Sequence, residues 1–286
     1  MIGDKPQGLR AHLPLAYPAL MLGIFFIIPF GIMVAVSFFH REPGGFYLPG
    51  FELTNYRNLY TALFGRTLLF SLFIAGLSAA VCVSIGFPFT YFITRMRRRA
   101  QIVWLVFLLS VLSLSEVIVG FAWSLLLSRT AGVSNLLVWL GLMEKPVAWY
   151  PGLAALLLGI CYLAFPYTVL VLYPPLSRLD PALPEAAQTL GASPVKTFFS
   201  VIVGSLRNAI VASFIMVFVF TLGVYLLPQI LGRPQHWTLS VLITDQAIYQ
   251  TNMPMAASMA IFFMLVSLLL VALTMAIGKG KKTKIS

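Results

Sequence analysis

Residues 177–204 read SRLDPALPEAAQTLGASPVKTFFSVIVG, a polar, small-residue stretch between two long apolar runs. It is too polar for membrane depth, and its spacing predicts a helix, a break and a second helix. Asp180 is placed to cap the first helix, with Pro181 at the first helical position, where a missing N–H costs nothing. Pro184 still falls within the first turn, so the start can slip to it. Gly191 can adopt the left-handed conformation that ends a helix. Ser193 and Pro194 then repeat the cap-plus-proline start. The expected product is a compact elbow over about 178–204 whose exposed side chains can meet another protein.

Outward from the elbow the chain is apolar. Hydrophobic residues make up 60% of it and charged residues 9%, against about 25% charged in soluble domains. This composition predicts an all-α integral membrane protein forming a single transmembrane domain over 1–286. A spanning helix needs about 20 apolar residues. Six runs qualify, at about 15–39, 67–93, 102–127, 150–173, 208–231 and 256–277. The first is too long for a signal-peptide core and lacks a small-residue cleavage site, so it is expected to stay in the membrane. Pro18, Pro29, Pro88 and Pro166 lie inside runs, where neighbouring helices can satisfy the freed backbone groups.

The net charge of +11 does not point to nucleic acid, because the bases lie in short loops and tails rather than along one face. They are topology signals. With the N-terminus inside, thirteen of the nineteen Lys and Arg fall on the inner side and six on the outer. The split predicts both termini, and the elbow, in the cytoplasm. The short basic loop Met96 to Arg99 is expected to anchor against anionic membrane lipid.

Glu185-Ala186-Ala187, three further residues and Gly191 resemble the EAA loop of permease subunits of type I ABC importers. LGVYLLPQILG over 222–232 resembles the LGxFxxPxLLGG signature of the polyamine, opine, iron and thiamine branch. Leu53 to Tyr60 (LTNYRNLY) resembles the TxxNY segment before the second helix, though a helix cap at Thr54 or Asn55 accounts for it equally. Asn252-Met253-Pro254-Met255-Ala256-Ala257 resembles the lead-in to the final helix. Two places depart from the pattern. Val201-Ile202-Val203-Gly204 stands where the family has Ile-x-Leu-Pro, and Val224 where the branch often has Asp.

The resemblance, closest to the spermidine/putrescine and opine permeases, implies a six-helix permease fold with a cytoplasmic coupling helix. It implies that Glu185, Ala186, Ala187, Gly191, Ser193 and Pro194 form the surface that couples to an ATPase. The implied partners are two ATP-binding subunits in the cytoplasm, a second, non-identical permease and an outer substrate-binding protein. ATP and magnesium would be held on the ATPase subunits, with no cofactor in this chain. The implied place is the bacterial inner membrane, and the implied cargo a small organic solute, polyamine- or opine-like.

Within the runs, Glu116 stands out in LSLSEVIVGFAW, near the middle of a helix expected over 102–127. A carboxylate at that depth costs about 2.5–3.5 kcal/mol, so it must face protein or water. Two roles are open: lining a path that attracts a cation, or a structural carboxyl bonded to a hydroxyl such as Ser113 or Ser115. Trp123 and Ser124 could line the same path. Gly223 and Pro228 are expected to break the fifth helix, making Tyr225 and Pro228 path candidates. Asp245 and Gln246 could meet substrate or a binding protein from the outer surface. Val133 to Leu140 is amphipathic, and Trp139, Trp149 and Tyr150 suit an interfacial belt.

Other chemistries find no support. There is no GxxxxGK[ST] phosphate loop, so the chain is not expected to hydrolyse ATP itself. Cys82 and Cys161 lack a CxxC partner, and no metal is expected. His12, His40 and His236 are scattered, and no nucleophile–base–acid set can be assembled at membrane depth. The rival class is an ATP-independent secondary transporter or channel, for which an internal repeat would be the sign; none is evident.

Overall fold

The computed structural model describes residues 13–42 and 45–278, whose regular structure is helical apart from two isolated bridges. Lys5, Arg10, His12 and the lysines from Lys279 onward lie outside the described residues. The chain divides into two compact units, residues 1–61 with 243–262, and residues 62–242 with 263–286.

The first unit begins with α1, residues 13–36, in which a π-helical turn at Gly23–Ile27 interrupts the α-helix. The loop after it folds back on the end of α1. Buried Asn55 donates its amide to the carbonyls of Ser37 (3.2 Å) and Phe39 (3.0 Å), and the Tyr56 hydroxyl meets Ser37 Oγ at 2.8 Å. These carbonyls follow a helix C-terminus, where backbone acceptors lack intrahelical partners. The cap expected at Thr54 or Asn55 is therefore replaced by a clamp: the helix Thr54–Arg57 has no side-chain cap. His40 and Leu48 form an antiparallel bridge in the same loop.

The second unit holds α2 (Ala62–Arg95), α3 (Arg98–Leu112), α4 (Glu116–Leu126), α5 (Leu153–Ser177), α6 (Ala182–Thr189), α7 (Pro194–Ser205), α8 (Arg207–Gly223) and α9 (Leu226–Leu231). Short helices Val133–Trp139 and Leu239–Thr244 lie in the connections, and α10 (Met253–Gly278) runs through both units. Helices α2, α5 and α8 pack on one another. Along α2, Ser71, Ala75, Ser78, Ala79, Cys82, Gly86 and Thr90 recur at helical spacing and are all buried. A Cβ on Gly86 would stand 2.5 Å from Thr168 Cγ2 of α5. Small residues thus let the backbones approach, which drives association where lipid leaves little hydrophobic contrast.

Ala62–Arg95, Leu153–Ser177 and Met253–Ala276 are long and apolar enough to cross a membrane, and two bent pairs raise the number to as many as five. Leu20–Val36 is a shorter apolar helix. One sequence run differs from the single helix expected, and another is broken after Gly223, one of the two places where a break was expected. The run 102–127 is α3 and α4, bent by 98°. The run 208–231 is α8 and α9, parted at Val224 and Tyr225.

Candidate functional site

The elbow is built by local backbone chemistry. Asp180 Oδ1 accepts the Ala182 N–H at 2.9 Å, and α6 starts one residue later than expected, with Pro181 flanking it and Pro184 buried in its first turn. At its other end Gly191 has φ +87°. The Gly191 N–H reaches the Gln188 carbonyl (2.9 Å) and the Ala192 N–H the Ala187 carbonyl (3.0 Å). This paired closure satisfies two otherwise orphaned carbonyls and requires a left-handed residue at Gly191. Ser193 Oγ then accepts the Lys196 N–H at 3.3 Å, with Pro194 opening α7.

The elbow is anchored from beneath and exposed outward. The Phe198 ring meets those of Phe87 and Tyr91 of α2, each at 5.6 Å between centroids. Ile202 is buried in one cluster with Phe87, Leu172, Leu176 and Leu206. Glu185 and Ala186 are exposed, and so are three large apolar side chains: Leu190 (89%), Val195 (68%) and Phe199 (66%). Sequence reasoning singled out the six polar and small residues of the elbow but not Phe198, whose ring contacts are long-range.

Glu116 is not in mid-helix. The chain leaves α3 at Leu112, passes through extended Ser115, and Glu116 is the first residue of α4. Its Oε1 accepts two backbone N–H groups, those of Leu226 and Leu227, each at 3.0 Å. The Ser113 hydroxyl instead donates to the Leu109 carbonyl. Leu226 and Leu227 open α9, so their N–H groups lack intrahelical acceptors, and the carboxylate also meets the positive end of that helix. Glu116 borders a cavity of about 310 Å³ shared with Leu112, Leu114, Tyr167, Phe220 and Gly223. The Tyr167 and Phe220 rings lie 4.8 Å apart; neither was legible as a site residue.

The other expected path residues do not gather there. Trp123 stacks edge-on with Tyr162 at 5.8 Å and borders a different, apolar groove containing Trp104 and Phe165. Ser124 donates to the Phe121 carbonyl. Tyr225 flanks the start of α9 and is part-exposed, while Pro228 is buried within α9 rather than breaking it. The break falls at Val224, whose backbone is extended. Pro228 fits because the first turn of a helix has no use for its missing N–H. Asp245 lies in the first unit, where its Oδ2 accepts from Gln250 at 3.3 Å. Cys82 and Cys161 are free thiols, and no cluster of metal-ligating side chains occurs among the described residues.

A family model described as "Binding-protein-dependent transport system inner membrane component" matches residues 86–282. The spermidine/putrescine transport system permease protein PotB of Escherichia coli K12 is 26% identical over 240 residues, covering 84% of this chain and 87% of that protein. A solved bacterial ABC transporter that imports the acidic polysaccharide alginate superposes with a TM-score of 0.77 at 18% identity, covering 95% of this chain and 96% of that one. The alginate transporter in complex with its alginate-bound periplasmic protein gives 0.75 at 18% identity, with 93% of each chain covered. At such identity these structures share the fold.

Proposed function

The chain belongs to the family of binding-protein-dependent transport system inner membrane components, and from that premise we propose that its elbow couples it to ATP hydrolysis on separate subunits. The exposed surface of Glu185, Ala186, Leu190 and Val195 on two short helices carries this reading. Phe198 ties that surface to α2, so a push on the elbow reaches the packed helices. Such coupling works only if the ATPase contacts differ between two states of the permease.

The complex would contain two cytoplasmic ATP-binding subunits that hold ATP and magnesium, a second, non-identical permease and an outer substrate-binding protein. Both termini would face the cytoplasm. The cargo would be a small organic solute of the polyamine or opine kind, in keeping with the similarity to a spermidine/putrescine permease. The Glu116 cavity is the proposed part of its path.

The test is purification of this chain from its native membrane in mild detergent, with mass spectrometry of what accompanies it. An ATP-binding subunit should co-purify, and Glu185→Arg should abolish solute-stimulated ATP hydrolysis while the protein still inserts. Normal stimulation in that variant, or a chain that emerges alone from several detergents, would refute the coupling role.

A further inference from the structure

Two spans of this chain are broken, and one side chain joins the breaks. Helix α3 turns into α4 through 98° across residues 113–115, and α8 gives way to α9 across Val224 and Tyr225. The Glu116 carboxylate, on α4, accepts the first two N–H groups of α9, 110 residues further along the chain. Below that contact the two helices are pressed together. A Cβ on Gly120 would lie 2.9 Å from Ile230 Cδ1 and 3.4 Å from Leu227 Cδ2. Val119, Leu127, Leu227 and Leu231 share one buried cluster with Leu156 and Ile160 of α5.

From this geometry we infer that Glu116 is a positioning residue: its carboxylate locks α4 and α9 into one body, so the breaks at 113–115 and 224–225 flex together. The lock needs an acceptor oxygen at the right reach. Without it, two N–H groups at the start of a short helix are left unpaired where water is scarce, and α9 loses its register against α4. The cavity bordered by Glu116, Gly223 and Tyr167 lies beside both breaks, so coordinated flexing opens or closes it as a whole. The gating consequence rests on the permease reading above; the mechanical lock does not.

Two conservative variants separate reach from charge. Glu116→Gln keeps the acceptor oxygen at the same distance and removes the charge. Glu116→Asp keeps the charge and shortens the side chain by one methylene. Nitroxide labels at exposed Phe121 and Gln229, with Cys82 and Cys161 replaced by alanine, report the α4–α9 separation by spin–spin broadening. The complex purified through this chain and placed in lipid nanodiscs also gives ATP hydrolysis. Glu116→Gln is expected to keep the broadening, whereas Glu116→Asp loses the broadening and about tenfold of the stimulated rate, as the loss of hydrogen bonds to a charged acceptor implies. The lock is overturned if Glu116→Asp keeps the broadening. It is equally overturned if Glu116→Gln loses the broadening, since an acceptor oxygen at the same reach would then fail to hold the two helices. A chain lacking an ATPase partner would sink the coupling reading, while the spin labels would still decide the lock.

Discussion

Glu52 lies in the loop after α1, and its carboxyl is held below the ordinary 4.5, first by a hydrogen bond with Thr54 and then by one with His40. A depressed carboxyl contributes stability above its unfolded pKa and loses it as the pH falls through the lower folded value. The loop around His40 and Leu48 should therefore hold through mild acid and loosen only below the usual carboxylate range. In carbon-13 NMR of labelled glutamate, Thr54→Val and His40→Ala should each raise the Glu52 midpoint; an unchanged midpoint in both would be wrong for this geometry. At the residue scale, legibility followed distance along the chain. Gly191 and Ser193 were readable because their partners lie within a few residues. The amide partners of Glu116 were not, and neither was the clamp that Asn55 places on Ser37 and Phe39.

Helix α2 owes its place to its smallest residues. Gly86 faces Thr168 so closely that an added methyl would sit 2.5 Å from Cγ2, whereas Gly76, ten residues earlier, has nothing within 4 Å of the same position. Gly86→Ala should therefore destabilise the helix bundle by about 1–3 kcal/mol through overpacking. Gly76→Ala should be neutral or mildly stabilising, since alanine is the better helix former. Thermal unfolding in detergent compares the two, and equal midpoints would rule out the tight α2–α5 seam. The breaks show why element ends are harder to read than elements. Residues 113–115 (Ser-Leu-Ser) contain neither proline nor glycine, so nothing local announces a 98° bend there. Pro228 announces a break and sits inside α9 instead.

At the scale of the whole molecule the family match decides between the two transporter classes: this is the permease of an ABC importer and not an ATP-independent carrier. The distribution of Lys and Arg further predicts which ends face inward. With the native cysteines replaced by alanine, a cysteine at exposed Leu142 should react with a membrane-impermeant maleimide in intact spheroplasts. One at exposed Leu190 should react only after lysis. The opposite pattern would invert the topology and remove the elbow from any cytoplasmic ATPase.

Composition and short-range spacing by themselves determined the membrane class, the helix–glycine–helix elbow at 178–204 and the family. Hydropathy is a sum over neighbours, and caps, proline starts and left-handed glycines act within one turn. Only the tertiary structure decided that Glu116 caps α9, that Phe198 roots the elbow in α2, that Tyr167 and Phe220 border the Glu116 cavity, and that Trp123 does not. The reason is common to all four. A helix end leaves backbone groups unpaired and a helix face leaves side chains unpacked, but which distant residue satisfies them depends on how the helices come together.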